Sequence, residues 1–402
     1  MDMQNDTGSG WARYIVSYLV ALVLVISAIG AINTLVDPKG RYRLMNVDGL
    51  NRYKVAIYPD TRSGKSAALW QCDYDVVYLG SSRAEIGLSP DYGGFNKAPV
   101  YNAGLKGSSM YEIYYLVKYL LRHQQPQSVV LGLDFFLFNE NQRTQDDFAL
   151  SPLAEDWAAV ATFTNLVSTQ TLYESWYTLK ENISGRATAC SYNGQQVSKR
   201  NGTLPREAFD KILTRYVSNP ALYGDYELSK EYLELLRSAL EALIAADVKV
   251  YAFISPAHAL HSEAILELGL QETFEDWKRR VVEVVTNAND NKGGEQHIIL
   301  WDFSGYNSIT TEAVPDESTG DYMRWFRDSS HYRPVVGNMV MQRITGKASA
   351  QTELPPDFGR MLSSDTLEAL LSDQRAAGMV YRQANVDELE HLRTLIRDAR
   401  AN

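Results

Sequence analysis

The sequence predicts an α/β protein, in which a three-layer α/β/α domain with a parallel sheet is preceded by one transmembrane helix. Short, almost wholly apolar runs alternate with amphipathic helical segments along most of the chain, a pattern typical of parallel strands buried on both faces. One long uncharged run lies near the amino terminus. The length of 402 residues is ample for a large buried core.

The composition excludes some classes of partner. The chain has 49 acidic against 39 basic residues and a formal net charge of −10, whereas a nucleic-acid-binding protein needs a basic face. Its two cysteines are too few for a disulfide scaffold and lie in no CxxC or Cys/His pattern. We therefore expect no nucleic-acid partner, no cofactor and no metal site.

The uncharged run covers residues 14–36 and follows a short tail at 1–13. As a helix it reaches roughly 35 Å at about 1.5 Å per residue, enough to cross a hydrocarbon core of about 30 Å. Trp11 and Tyr14 lie at one end, where aromatic rings favour the membrane interface. A buried core helix would carry more polar residues on one face, and a cleaved signal peptide would have a shorter apolar run. The sequence therefore predicts an uncleaved anchor.

The charges beside the anchor do not decide which side of the membrane holds the rest of the chain. Arg13 precedes the anchor and three basic residues follow it closely, so a positive-inside count places the C-terminal bulk in the cytoplasm. A long C-terminal domain can translocate regardless of such charges, and Cys72 and Cys190 would suit an oxidising compartment as one disulfide. Two buried free thiols are equally compatible with the sequence.

The elements after the anchor follow from the two periodicities. Each expected strand is a short apolar run that stops at glycine or a polar residue, and each expected helix repeats apolar residues every three or four positions. The expected strands are 75–79, 100–101, 128–133, 248–254 and 297–301. The expected helices are 110–123, 229–246, 273–288, 364–376 and 386–399.

These elements predict a domain organisation. A polar connecting segment covers 37–74, the α/β domain covers 75–346, and a helical extension, broken at Gly378, covers 347–402. An aromatic-rich insertion at 140–226 interrupts the alternation. We interpret it as a structural cap, with a saccharide-stacking wall as the alternative.

Two short motifs carry chemistry. Gly80-Ser81-Ser82 ends the first expected strand, so a serine hydroxyl lies at a helix start, where backbone N–H groups point into the same space. Asp328 precedes His331 by three residues, a spacing that lets one turn place the carboxylate against the imidazole and orient it. The second pattern alone is common by chance, and it gains weight from the serine turn.

Taken in order, these motifs resemble the SGNH (GDSL-type) hydrolase superfamily, which implies a flavodoxin-like arrangement of the domain. Ser82 matches the nucleophile of the first block, and Asn102 and Gly107 match an Asn-x-x-x-x-Gly block. Asp328 and His331 match the last block, Asp-x-x-His. The resemblance implies that Ser82 attacks, that His331 is the base, and that the N–H groups of Ser82 and Gly107 bind the oxyanion.

One block departs from the family pattern. The family has Gly-x-Asn, whose amide donates to the oxyanion, whereas this chain has Gly132-Leu133-Asp134. An ionised Asp134 cannot donate a hydrogen bond there. Either its carboxyl is protonated, or it holds another donor in place, or the oxyanion hole relies on the N–H groups of Ser82 and Gly107.

A further resemblance narrows the expected function. The anchor, followed by a strand that ends Leu-Gly-Ser-Ser, resembles the D-alanyl transfer protein of teichoic acid operons and, more loosely, the alginate O-acetyltransferase group. These families imply a single-pass inner-membrane protein with its C-terminal domain in the periplasm. They also imply a multispanning membrane O-acyltransferase as acyl supplier and a polysaccharide acceptor. The expected function is O-acetylation of a cell-surface or secreted polysaccharide through a Ser-His-Asp acyl-enzyme.

Other readings remain open from the sequence. Arg83 and Arg333 flank the nucleophile and the base, and His258 follows a strand end, so each is a candidate substrate contact, with a structural role as the alternative. The same triad would serve a carbohydrate esterase or deacetylase. The domain could also be a non-catalytic scaffold of an acyltransferase or polysaccharide export complex, or an enzyme that faces the cytoplasm.

Overall fold

A computed structural model describes residues 7–54, 60–95, 98–154, 159–187, 190, 192–196, 203–291, 296–315, 322–347 and 353–401. The chain forms two compact units. Unit 1 comprises Met1–Cys72 and Asp146–Ser191, and unit 2 comprises Asp73–Gln145 and Tyr192–Asn402. The insertion predicted at 140–226 is therefore divided between the two units. Residues 1–6 of the predicted tail lie outside the described residues.

Unit 2 is built on a six-stranded sheet, and the mixed α/β class is confirmed. The strands are β1 (Val76–Leu79), β2 (Val100–Asn102), β3 (Ser128–Leu133), β4 (Lys249–Ile254), β5 (Ile298–Asp302) and β6 (Arg360–Leu362). They lie in the order β2-β1-β3-β4-β5-β6, all parallel except β6, which pairs antiparallel with β5 at the edge. The apolar runs of β1 and β3 are buried almost throughout, as their composition predicts.

Thirteen α-helices lie in the described part of the chain. They are α1 (Thr7–Val36), α2 (Arg62–Gln71), α3 (Ser82–Gly87), α4 (Met110–His123), α5 (Ala159–Val167), α6 (Thr169–Ile183), α7 (Pro205–Ser218), α8 (Lys230–Ala245), α9 (Ala259–Glu267), α10 (Gln271–Asp290), α11 (Pro334–Thr345), α12 (Leu367–Ala384) and α13 (Val386–Ala401).

Helices cover both faces of the sheet in unit 2. From β1 to β2 the chain moves in one direction across the sheet, and this connection contains α3. From β2 onwards it moves in the other direction to β3, β4 and β5, and these connections contain α4, α8 and α10. Right-handed connections place helices that belong to opposite steps on opposite faces. Consistent with this, α4 contacts α8 and α8 contacts α10, whereas α3 contacts α11. The carboxyl ends of the parallel strands, where ligands bind in such sheets, meet at one edge of the layers.

The C-terminal region differs from the prediction in two ways. It contributes β6 to the sheet, and α12 runs straight through Gly378, where a break was expected. A Cβ atom at Gly378 would lie 2.9 Å from Cε2 of Tyr306, so the glycine allows the helix to approach that ring. The break between the two C-terminal helices lies instead at Asn385, between α12 and α13.

Unit 1 contains α1, α2, α5 and α6. Helix α1 contacts both α5 and α6, and Asn33 near its end donates hydrogen bonds to the carbonyls of Leu166 and Ser168. Among the described residues, one helix is long and apolar enough to cross a membrane, and it covers Gly10–Val36. This helix includes the predicted anchor.

The two cysteines form a disulfide within unit 1. Cys72 follows α2, and Cys190 lies near the end of the second chain segment of the unit, with 5.8 Å between their Cα atoms. The sequence left a bridge and two free thiols equally open, and the structure has the bridge.

Candidate active site

The turn after β1 places Ser82 at the carboxyl end of the sheet. Ser81 is the N-cap of α3, and its hydroxyl accepts a hydrogen bond from the N–H of Arg83 at 3.1 Å. Gly80 has φ +143°, and a Cβ atom there would lie 2.9 Å from the Cβ of Ala84 and 3.0 Å from a backbone oxygen of β3. Only glycine fits this turn, which leaves Ser82 partly exposed as the first residue of α3.

Ser82, His331 and Asp328 form a continuous hydrogen-bonded relay. The Oγ of Ser82 lies 2.9 Å from Nε2 of His331, although 249 residues separate them in the chain. On the other side of the ring, Nδ1 lies 2.9 Å from each carboxylate oxygen of Asp328. A carboxylate accepts only, so Nδ1 carries the proton and Nε2 is free to accept one from the serine. The three-residue spacing of Asp328 and His331 therefore gives the contact between carboxylate and imidazole that was expected from it.

Asp328 is held in its charged form. Burial on its own would raise the pKa of this carboxyl, but His331 and the backbone N–H groups of Ser330 and His331 outweigh burial and hold its pKa below the usual range. Each N–H donates to Oδ1 at 2.9 Å. The N–H groups of the turn that brings the carboxylate to the ring also stabilise its negative charge, so Asp328 stays ionised while buried.

The loop after β2, which contains Gly107, packs against the turn before α3 and against α3 itself. The N–H of Leu105 donates to the carbonyl of Gly80 at 2.8 Å. Gly104 packs so closely on α3 that a Cβ atom would lie 2.6 Å from the backbone nitrogen of Glu85. Asn102 fixes the turn, because its side chain donates to the carbonyl of Leu88 at 2.8 Å and accepts from the N–H of Gly104 at 2.9 Å.

Gly107 itself has φ +64°, in the region that favours glycine. Its carbonyl accepts hydrogen bonds from the side chains of Gln142 and Gln145, both at 3.0 Å, which hold the loop in place. Within the described ranges, no acceptor pairs with the N–H of Ser82 or of Gly107. Both donors are therefore available to a ligand oxygen.

Asp134 does not act as an oxyanion donor. Its carboxylate follows β3, is almost wholly buried, and pairs with Nη1 of Arg83 at 3.0 Å. The other oxygen accepts a hydrogen bond from the hydroxyl of Ser81. Both partners belong to the turn that presents Ser82, so this carboxylate holds that turn in place. That the oxyanion hole relies on the N–H groups of Ser82 and Gly107 stays a prediction.

Arg83 is likewise a structural residue, and the expectation that it contacts substrate is wrong. Its side chain is buried, with Nε donating to Ser330 Oγ at 3.0 Å and Nη2 lying 2.9 Å from Nε2 of His261. Burial would lower the pKa of this guanidinium, but the carboxylate of Asp134 outweighs it and raises the pKa. Each nitrogen atom of this arginine has a partner inside the domain, and burial keeps the side chain from a sugar or a phosphate on the surface.

His258 is also buried and is not a substrate contact. It is the N-cap of α9, where Nδ1 accepts from the N–H of Leu260 at 3.2 Å and Nε2 donates to the carbonyl of Glu312 at 2.6 Å. Burial lowers its pKa to about 4, so the ring is neutral at neutral pH. The imidazole is a fixed part of the fold.

Arg333 remains a candidate substrate contact without direct support. It is partly buried at the N-cap of α11, and its Nε donates to the carbonyls of Met323 and Phe326 at 3.0 and 3.1 Å. These bonds fix the segment that leads into the Asp328–His331 turn.

Sequence reasoning missed a buried cluster that supports the relay from below. Ser330 accepts from Arg83 and lies 2.9 Å from the hydroxyl of Tyr216, and His261 lies 3.0 Å from the hydroxyl of Tyr223. The tyrosines come from the segment interpreted as an aromatic cap. The cluster thus links the nucleophile turn to the residue before the base, and the only signal in the sequence was the density of tyrosines.

The buried ion pair of Arg83 and Asp134 predicts that Asp134 stabilises the fold. Replacing it by alanine leaves the guanidinium of Arg83 buried without its carboxylate, which should lower the free energy of unfolding by about 3–5 kcal/mol. Urea unfolding measures the change, and Asp91→Ala, an exposed carboxylate, is the matched control. If Asp134→Ala were as stable as the parent protein but inactive, the carboxyl would act in the reaction and not in the fold.

The buried imidazoles predict a pH dependence of stability. Burial also holds the pKa of His261 well below its usual range, so the unfolded chain binds more protons than the folded chain between the unfolded pKa near 6.5 and about 4. Stability should therefore fall on acidification through this window, with His258 alone accounting for about 3 kcal/mol by pH 4.

Urea unfolding at pH 7, 5.5 and 4.5 measures this slope. His258→Asn removes one titrating ring and keeps an N-cap acceptor for Leu260, so its stability should depend less on pH than that of the parent protein. An equal slope in the two proteins would contradict a neutral, buried His258.

Comparisons with known proteins add no identification. No protein-family model matches the chain, and a search of the curated proteins gives no match. Within the described ranges, no cluster of three or more histidine, cysteine or acidic side chains is arranged to hold a metal ion.

The arrangement has the parts needed for nucleophilic acyl chemistry. A partly exposed hydroxyl faces an oriented imidazole base, and in the described ranges neither the N–H of Ser82 nor that of Gly107, on the loop after β2, pairs with an acceptor. These parts lie at the carboxyl ends of parallel strands, the usual place for a site in such a sheet.

Proposed function

We propose that this protein is a membrane-anchored O-acyltransferase with an SGNH-type domain, which forms an acyl-enzyme on Ser82 and transfers the acyl group to a polysaccharide hydroxyl. The observation that carries the proposal is the relay from Ser82 through His331 to Asp328. An oriented base within hydrogen-bond reach of a serine at a helix start is the geometry that activates a weak nucleophile.

The reaction proceeds in two steps. In the first, His331 takes the proton of Ser82 as the oxygen attacks the acyl carbonyl, and the charge on Asp328 stabilises the imidazolium. The N–H groups of Ser82 and Gly107 bind the oxyanion, and collapse expels the donor's leaving group, which takes the proton from His331. In the second step, His331 deprotonates the acceptor hydroxyl as it attacks the ester on Ser82. The ester bond to Ser82 then breaks, the acyl group leaves on the sugar, and the serine oxygen takes the proton from His331.

The proposed setting is the outer face of an inner membrane. Helix α1 supplies the anchor, and the disulfide between Cys72 and Cys190 favours an oxidising compartment such as the periplasm. A multispanning O-acyltransferase would deliver the acyl group across the bilayer, and acetyl is the group we propose. The net charge of −10 gives no general attraction to an acidic polymer, so the acceptor would be held by local contacts.

The partition between transfer and hydrolysis tests this function. Purified full-length protein in detergent is incubated with 4-nitrophenyl acetate, with and without an acceptor oligosaccharide, and the products are measured by mass spectrometry. We expect acetylated oligosaccharide. Free acetate alone, at any acceptor concentration, would indicate an esterase, and no release above that of Ser82→Ala would indicate a non-catalytic scaffold.

A further inference from the structure

Exposed apolar side chains are concentrated in unit 1. Outside α1, its described residues expose eight large hydrophobic side chains, which are Leu44, Met45, Val47, Leu50, Phe163, Tyr173, Trp176 and Ile183. The described residues of unit 2 cover a much longer part of the chain and expose five, which are Tyr322, Met361, Met379, Val380 and Val386. Such a concentration on a folded surface marks an interaction site.

The first group of these side chains, at 44–50, is held beside the carboxyl end of α1 by hydrogen bonds. The side-chain amide of Asn51 donates to the carbonyl of Leu35 at 2.9 Å and to that of Met45 at 2.9 Å. The ammonium of Lys54 donates to the carbonyl of Val36 at 3.0 Å. Since the last carbonyls of a helix lack partners within it, these bonds cap α1 and hold the loop at 44–50 beside its end.

The second group, at 163–183, lies on α5 and α6, and hydrogen bonds join these helices to the same end of α1. Asn33 donates to the carbonyl of Leu166 at 2.8 Å and accepts from the hydroxyl of Ser175 at 3.0 Å. The face of α6 towards the unit is polar and buried, and it consists of Thr171, Ser175, Thr178 and Asn182. The opposite face exposes Tyr173, Trp176, Lys180 and Ile183 at helical spacing.

The length of α1 sets the depth of both groups. A hydrocarbon core of about 30 Å takes about 20 helical residues, and counting these from Tyr14 reaches Asn33. The residues that hold the two groups to α1 lie from Asn33 to Val36, where the helix leaves the hydrocarbon. Exposed apolar side chains fixed at that level lie where headgroups begin.

We propose that these eight side chains form an interfacial surface, which lies in the boundary between headgroups and acyl chains of the membrane that α1 crosses. Tyrosine and tryptophan favour this boundary, and the two rings of Tyr173 and Trp176 stack with centroids 5.9 Å apart. The ammonium of Lys180 lies 5.1 Å from the Trp176 ring centroid, within reach of lipid phosphates. Unit 1 therefore rests on the bilayer, continuing the apolar surface of α1.

Spin labelling of the full-length chain tests this placement. Single cysteines are introduced by Trp176→Cys, Val23→Cys and Val380→Cys, labelled with a nitroxide, and the proteins are reconstituted into vesicles of phosphatidylethanolamine and phosphatidylglycerol. Val23 lies exposed within α1, and Val380 is an exposed apolar residue of unit 2. Collision rates with O₂, which partitions into lipid, and with a water-soluble nickel complex are then compared.

We expect the ratio of O₂ to nickel collisions at position 176 to be several-fold higher than at 380 and to approach that at 23. A ratio at 176 equal to that of the free nitroxide in buffer would place this face in water and overturn the proposal. Low collision rates with both reagents would mean that protein covers the face, which also overturns it. A water-like ratio at 23 would refute the membrane span itself, and the surface with it.

Discussion

Replacing Ser82 by alanine should lower the rate of acyl release from 4-nitrophenyl acetate by about 10⁵-fold, because no other group takes over the role of a serine nucleophile in a relay of this kind. The side chain is partly exposed, and its hydrogen bond is to His331. Removing one oxygen there should leave the free energy of unfolding nearly unchanged. Stopped-flow or steady-state absorbance measures the rate, and urea unfolding measures the stability.

Ser89→Ala is the matched control for this variant. Ser89 lies just after α3, and in the described part of the chain its hydroxyl accepts a local bond from the N–H of Asp91. This substitution should leave the rate as it is in the parent protein. A fluorophosphonate probe should add mass to the parent protein and to Ser89→Ala but not to Ser82→Ala. Acyl release that persists in Ser82→Ala would remove Ser82 as the nucleophile.

Asp328→Asn should lower the same rate by about 10⁴-fold. The amide of the new side chain can donate to Nδ1 of His331, which moves the ring proton to Nε2 and leaves no base facing Ser82. The amide oxygen still accepts from the N–H groups of Ser330 and His331, so the turn should persist.

Two measurements separate this effect from misfolding. The unfolding transition of Asp328→Asn should remain cooperative, and ¹⁵N chemical shifts of His331 should report the change of tautomer. Asp91→Asn, at an exposed carboxylate outside the relay, should change neither. If Asp328→Asn kept more than a tenth of the activity, His331 would not depend on Asp328 for its orientation.

The contact between Asp328 and His331 could be predicted because it is local, whereas the pairing of Ser82 with His331, 249 residues away, was expected only from the family resemblance. Asp328 and His331 share one turn, and Ser82 follows a strand whose end could be read from its apolar run. The roles of Asp134 and Arg83 could not be predicted, because their ion pair joins positions 51 residues apart. In the sequence Arg83 was a charge beside a nucleophile, and only packing distinguishes a buried cation from an exposed one.

For the fold as well, periodicity predicts local elements and misses what depends on contacts between distant positions. Periodicity predicted α4 at its observed bounds, since fourteen residues carry several turns of amphipathic pattern. It missed β6, whose three residues are too few to show an alternation. It also treated the insertion as one segment, although Asp146–Ser191 form unit 1 with the amino-terminal part of the chain and the rest of the insertion belongs to unit 2. Which distant segments share a unit depends on side-chain contacts that periodicity does not encode.

The disulfide between Cys72 and Cys190 also separates the members of the proposed relay. It closes a covalent ring over a separation of 118 residues, and this ring contains Ser82 and Gly107. Asp328 and His331 lie outside it, much nearer the carboxyl terminus. In a chain with the proposed topology, this bridge can form once residue 190 has crossed the membrane, before the turn that carries the proposed base has been synthesised. The proposed nucleophile is therefore enclosed in a covalent ring before the proposed relay can be completed.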